Sequence, residues 1–314
     1  MNYFDSHIHL TGSIPTNHWM DVLSTKGNLK NRTKKELTDS IFLENSAVWS
    51  ELKVCTERPH DFLTTVSLIT SQMIEIGGSG CNFIFNPHSL IKRGLDISHT
   101  FELIDELVTS LKISNQFHLF FRLGVNRRDG TKELETIAST YNIYHDRYKW
   151  IEAIDINGDE RKFPLKKFTP FLKSLKEEDI PFTIHAGEGT DLTSSLEEAL
   201  ICGPLRIGHG IAAINSADIM KELHVSQIPL EICITSNIKT SSSPNSPGKH
   251  PIKTLFENKV PILLGSDNPV FLNTTIKREY KLAIRVCGRD FLSIIDSNIE
   301  GVLRDNKRRN KQVV

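Results

Sequence analysis

Eight short apolar runs, each followed by a polar turn and a longer stretch of helical periodicity, predict a (β/α)8 barrel for this 314-residue chain. The length agrees: such barrels commonly reach about 250 residues or more as one unit, so a single domain over 1–314 is the expected organisation. A third observation is positional. The residues able to carry chemistry gather where the apolar runs end, and the C-terminal ends of barrel strands are where such folds build their sites.

In chain order the expected strands are Asn2–Ser6, Cys81–Asn86, Phe117–Gly124, Trp150–Ile156, Pro181–His185, Leu205–Gly208, Ile228–Cys233 and Val260–Leu264. Helical periodicity places helices at Thr16–Ser24, Pro59–Ile76, Ser98–Ser114, Thr131–His145, Leu165–Glu178, Asp191–Ile201, Ser216–Val225 and Pro251–Asn258. Two departures from even spacing stand out. A long helical insertion, about residues 16–80, follows the first strand and is expected to cap the barrel mouth. After the eighth strand, Thr275–Arg289 and Phe291–Leu303 read as extra closing helices with Gly288 as the break. The segment Thr240–Gly248 is rich in turn formers and is expected to be a mobile rim loop or lid.

Composition narrows the function. Hydrophobic residues at 39% and charged residues at 24% describe a globular protein with a sizeable core. Lys+Arg and Asp+Glu balance at 38 each, so no global field favours nucleic acid or an anionic membrane, and a small-molecule substrate fits better. The basic end, 307–314, is expected to be a solvated, flexible tail. Five scattered cysteines without a C-x-x-C pair argue against a disulfide framework and for a reducing cytoplasm. With no secretory leader pattern and no apolar run of roughly 20 residues, neither export nor membrane insertion is expected.

In His7-Ile8-His9 the strand period of two puts both imidazoles on one face at a strand end. His185 closes the fifth run, and Asp267 follows the eighth. Three histidines and one aspartate on one rim make a nitrogen and oxygen donor set suited to one Zn2+ per chain. Glu188, three residues beyond His185, can move a proton to or from a ligand that the ion also touches. His209, between Gly208 and Gly210, can orient a water or accept its proton. Asp155 and Asp159 are expected to support neighbours or cap turns, and Gly158 can offer backbone to a substrate edge. The remaining histidines, His18, His60, His88, His99, His118, His145, His224 and His250, stand outside this pattern, with His88 the nearest to the rim.

These residues lie in blocks that resemble the adenosine deaminase family of the amidohydrolase superfamily. The blocks are His7-Ile-His-Leu-Thr-Gly-Ser13, Asp155-Ile-Asn-Gly-Asp-Glu160, His185-Ala-Gly-Glu188, Arg206-Ile-Gly-His-Gly210, Leu230-Glu-Ile-Cys-Ile-Thr-Ser-Asn237 and Ser266-Asp-Asn-Pro269. The resemblance implies a barrel with Zn2+ held by His7, His9, His185 and Asp267, with Glu188 as proton donor to N1 of a purine and His209 as the catalytic histidine. It implies a substrate-binding set of His9, Thr11, Gly158 and Asn268, and a closing-helix motif at Glu279-Tyr280. The implied activity is hydrolytic deamination of adenosine or 2′-deoxyadenosine.

Three departures from the family pattern involve four positions. Asn268 replaces a second aspartate, Thr11 stands where adenosine-specific members have an aspartate for the sugar, and Asn82 and Ile84 replace a charged pair on the second strand. All three touch substrate recognition or the surroundings of the site, so adenine, AMP, dAMP or N6-methyl-AMP stay open as substrates. Lys239, Lys277 and Arg278 are expected to be solvated rim charges, with contact to a substrate phosphate as the alternative. A purine-binding sensor or complex subunit without turnover is the reading from another class.

Overall fold

The computed structural model describes residues 2–25, 51–92, 94–240, 242–243 and 246–309. Eight strands run in one parallel sheet in chain order: β1 Tyr3–His9, β2 Gly78–Phe85, β3 His118–Asn126, β4 Ile151–Asn157, β5 Phe182–Ala186, β6 Arg206–His209, β7 Leu230–Ile232 and β8 Ile262–Leu264. Closure falls between the first strand and the segment after the last. The His9 amide donates to Asp267 O at 2.8 Å, and the Asp267 amide donates to His7 O at 2.9 Å. The sheet is a (β/α)8 barrel, as the alternating pattern predicts.

The helices are α1 Thr16–Thr25, α2 Pro59–Glu75, α3 Pro87–Ile91, α4 Ile97–Asn115, α5 Gly130–Tyr144, α6 Thr169–Glu177, α7 Thr193–Cys202, α8 Ala217–Ser226, α9 Ile234–Lys239, α10 Ile252–Glu257, α11 Ile276–Cys287 and α12 Phe291–Arg309. Apart from α1, their apolar faces meet the strands in one continuous core. Two short helices, α3 and α9, have no counterpart in the periodicity, because about one and a half turns cannot establish a 3.6-residue repeat.

The insertion after β1 is shorter than expected. In α2, Phe62, Val66, Ile69 and Met73 recur at helical spacing and are buried in the main core, so α2 is the barrel's own crossover helix. The extra part is α1 and the turn Lys53–Thr56; residues 26–50 between them lie outside the described residues. Trp19 and Leu23 of α1 form a second small core with Leu52, Cys55 and Phe271, which fastens this part to the loop after β8.

The C-terminal end also differs from the expected tail. Helix α12 continues through Lys307, Arg308 and Arg309, and Asn306 donates from Nδ2 to Glu152 Oε1 at 2.7 Å inside the barrel. Residues 310–314 lie outside the described residues. Of the rim loop 240–248, positions 241, 244 and 245 also fall outside; Ser242 O accepts from the Thr190 amide at 3.3 Å, which ties the loop to the turn after Glu188. No described helix is long and apolar enough to cross a membrane.

Candidate active site

His7 and His9 lie within β1, which runs three residues further than its apolar stretch suggests. The pairing of β1 with β2 is irregular between Asp5 and Ile8, so the last turn of the pleat is re-aimed into the mouth. Only glycine fits around His7. A Cβ on Gly208 would come within 2.8 Å of its ring, and one on Gly265 within 2.5 Å of its Cβ.

Barrel closure then supplies the other donors. His9 Nε2 is 3.2 Å from His185 Nε2 and 3.4 Å from Asp267 Oδ1. Ligand atoms around a tetrahedral zinc with bonds near 2.0–2.1 Å sit about 3.3 Å apart, so these separations fit a shared cation. His7 Nε2 points into the same space, fully buried and without a partner among the described residues. The nitrogens of His7, His9 and His185 all lie within 4.8 Å of one another. Burial pushes His7 down to about 4 and His9 down to about 3, so both are neutral imidazoles able to donate a lone pair.

Three of the four donors are oriented from behind. His7 Nδ1 is 2.8 Å from Glu231 Oε2, His185 Nδ1 faces Asp155 Oδ1 at 3.2 Å, and Ser236 Oγ donates to Asp267 Oδ2 at 2.6 Å. A carboxylate on Nδ1 fixes the proton there and turns Nε2 outward as an acceptor. The carboxylates belong to a fully buried charged layer under the site. Arg122 Nη1 donates to Glu231 Oε2 at 2.9 Å, Arg206 Nε donates to Glu231 Oε1 at 2.7 Å, and Arg206 Nη1 donates to Glu152 Oε1 at 3.1 Å. Burial alone would raise Glu231, but Arg122 and Arg206 hold it well below the usual carboxylate range. Asn82 donates to Glu152 in this layer. Asn82 of β2 thus joins charges carried on β3, β4, β6 and β7, contacts that pattern reading did not reveal.

Glu188 stands at the edge of the mouth with 35% of its side chain exposed, its Oε2 3.9 Å from His209 Nε2. The turn that carries it is cradled by Glu160, which accepts the amides of Gly187 and Glu188 at 2.8 Å each and the Ser195 hydroxyl at 2.5 Å. His209 and Asp267 both adopt left-handed backbone, φ 63° and 60°, an uncommon state for residues with a side chain. Strain of this kind, of order 1–3 kcal/mol per residue, concentrates where geometry serves chemistry.

A family model described as adenosine deaminase matches residues 5–310. This chain belongs to the adenosine deaminase family. A curated adenosine deaminase of Haemophilus ducreyi is 29% identical over 294 residues, covering 88% of this chain and 84% of the relative. A curated adenine deaminase of Rhizobium rhizogenes is 27% identical, covering 90% and 87%. Among solved structures, an amidohydrolase of Burkholderia ambifaria with bound Zn superposes with a TM-score of 0.82 at 16% identity, covering 96% of this chain and 85% of that one. The N6-methyl-AMP deaminase of Arabidopsis thaliana gives 0.74 at 21%, covering 92% and 87%. At those identities the structures speak for the fold.

Family membership makes the chain a deaminase-type hydrolase, and it gives the remaining rim residues a context. Thr11 opens the short turn Thr11–Ser13, which is pinned by Ser13 Oγ donating to His9 O at 2.6 Å. Gly158 follows β4 with φ 100°, and a Cβ there would meet Asn126 Oδ1 at 2.7 Å. Asn268 packs on Gly12 and donates from Nδ2 to Asp267 Oδ1 at 2.8 Å, while its buried Oδ1 has no partner among the described residues. Asp155 and Asp159 divide as expected: the first backs His185, the second accepts the amides of Arg161 and Lys162 at 3.0 Å each. His88 pairs with Glu133, away from the donor set.

Glu279 and Tyr280 fasten α11 to the barrel. Glu279 accepts the Thr235 amide at 3.0 Å, and Tyr280 Oη donates to Phe4 O at 3.2 Å. Two residues passed over in the sequence stand directly behind His209. Asn237 and His250 are buried, and only the S-N pair ending the β7 block hinted at the first of them.

Proposed function

We propose that this protein is a zinc-dependent aminohydrolase that converts adenosine or 2′-deoxyadenosine to the inosine product and ammonia. The observation that carries the reading is the convergence of His7, His9, His185 and Asp267 beneath Glu188 and His209. Three imidazole nitrogens within 4.8 Å of one another and one carboxylate oxygen, with His9 3.2 Å from His185 and 3.4 Å from Asp267, match what zinc takes. When bound, the ion supplies Lewis acidity and an activated water at neutral pH.

The protein's own residues supply the rest. Glu188, at the opening and carried on the turn that Glu160 cradles, presents its proton to ring N1, which drains charge from C6 as the oxygen adds. His209 lies across from Glu188 and steadies the incoming oxygen, with Asp267 holding the other side. The amino group then leaves as ammonia. Thr11, Gly158 and Asn268 form the rim against which the base and its substituent are read, and His9 contributes to the same wall.

The test is a substrate screen of the zinc-loaded protein on adenosine, 2′-deoxyadenosine, adenine, AMP, dAMP and N6-methyl-AMP, followed by the ultraviolet change of deamination. Turnover of the nucleosides with the highest kcat/KM is the expected result. Preference for a monophosphate or for adenine would move the substrate while leaving the reaction. No turnover of any of them at full metal occupancy would replace the enzyme reading with that of a purine-binding protein.

A further inference from the structure

Behind His209 runs a chain of three buried hydrogen bonds with a fixed direction. The amide of Ile252 meets His250 Nδ1 at 3.1 Å. A backbone N–H can only donate, so Nδ1 is the acceptor and the neutral ring carries its proton on Nε2. That proton is directed at Asn237 Oδ1, 3.3 Å away. With the oxygen so engaged, the Asn237 amide group turns Nδ2 to His209 Nδ1 at 3.2 Å, and an amide N–H also only donates. His209 Nδ1 must accept. Turning the Asn237 amide over would set its NH2 against the His250 Nε2–H, two donors face to face, so the Ile252 amide fixes the order of the whole chain. All three side chains are buried, with no solvent to substitute for a missing partner.

We propose that Asn237 and His250 are positioning residues that lock His209 into the neutral tautomer with its proton on Nε2, so that it meets the substrate side as a hydrogen-bond donor. The proposal rests on reading His209 as part of the deaminase site, and it assigns the direction in which that residue works. The contrast with its neighbours supports the assignment. His7 and His185 have carboxylates behind Nδ1 and so present Nε2 lone pairs, suited to a cation. His209 has an amide behind Nδ1 and presents an N–H, suited to an oxygen gaining negative charge. A proton on His209 Nδ1 would set two N–H groups face to face at 3.2 Å. Burial keeps His250 neutral, pushed down to about 3, so the start of the relay does not change sign near neutral pH.

The experiment is long-range 1H–15N correlation on histidine-labelled, metal-free protein, with the His209 signals assigned by their loss in His209→Gln. The wild type is expected to show an unprotonated Nδ1 and a protonated Nε2. Asn237→Asp, which replaces the donor by an acceptor of the same shape, should move the proton to Nδ1. His250→Phe should give a mixture of tautomers, and His250→Gln, which keeps an acceptor and a donor in the same order, should restore the wild-type pattern. In the zinc-loaded enzyme the Asp and Phe variants should lose kcat by roughly 10²-fold with KM little changed, and the Gln variant should recover most of it. A wild-type His209 protonated on Nδ1, or an unchanged pattern in Asn237→Asp, overturns the proposal. If the tautomer pattern holds but no purine is turned over, the relay stands and the deaminase reading falls.

Discussion

Two layers of buried polar side chains lie one above the other in this barrel, and they are finished differently. In the lower layer Glu231 receives Arg122, Arg206 and His7, and Glu152 receives Arg206, Asn82 and Asn306, so both carboxylates are matched although Arg122 Nε and Asn82 Oδ1 have no partner among the described residues. In the upper layer His7 Nε2 and Asn268 Oδ1 have no partner among the described residues, and His9 and His185 turn two Nε2 atoms toward each other. Burying charge costs several kcal/mol per ion unless it is paired, so the lower layer reads as structure. The upper layer turns its ring nitrogens toward one another, an arrangement that a cation would complete.

The contrast is broken most severely by His185→Ala. That variant should hold no zinc by metal analysis and show no deamination, while the fold survives by circular dichroism. Glu188→Gln should keep its zinc and lose activity by roughly 10²–10⁴-fold, since only proton transfer is removed. Equal metal loss in both variants would show that the roles of His185 and Glu188 are wrongly divided. Glu231→Gln attacks the lower layer. Leaving two buried guanidinium groups short of a charge should cost about 3–5 kcal/mol of stability, read as a lowered urea midpoint, and should weaken zinc by roughly 10–100-fold through His7. A variant of normal stability would mean that the charged layer is not structural.

Acid should expose the same difference in the metal-free protein. Burial alone would raise Glu152, but Arg206 and Arg122 pull it down to about 2 from an ordinary 4.5, so its contribution is complete above 4.5 and is lost as pH falls toward 2. His250, held near 3 by burial, refuses a proton that the unfolded chain accepts below 6.5, so stability starts to fall there. Urea midpoints should decline in two stages over that range; a midpoint flat into the carboxylate region would contradict the burial of His250. The smallest effect belongs to Asn306→Ala, which removes one hydrogen bond to Glu152 and should cost about 1 kcal/mol.

The upper layer was legible in the sequence and the lower one was not. His7 and His9 are two apart on a strand, and His185 and Asp267 follow apolar runs, so local period and position suffice to gather them. Arg122 and Glu231 are 109 residues apart and acquire meaning only when β3 and β7 face each other across the barrel. The same holds for Asn237 and His250. They lie 13 residues apart, but a helix and a turn-rich loop separate them, and no periodic pattern spans both. The extent of the insertion after β1 was misjudged because α2 has the same apolar stripe whether it caps the mouth or crosses over to β2. Only the identity of its packing surface separates the two.

The hydrogen bonds that close the barrel, between β1 and Asp267, have a consequence in time. Residues 7 and 9 are made before Asp267, which follows more than 250 residues later. The first two donors must therefore wait on the ribosome until the eighth strand has emerged, since domains form as units and this one cannot close without its last strand. A cation captured at the seam would clasp the two ends of the sheet together, much as a buckle joins the ends of a belt. A metal held there would have a mechanical office besides its chemical one, and chelation should loosen the seam between β1 and Asp267 first.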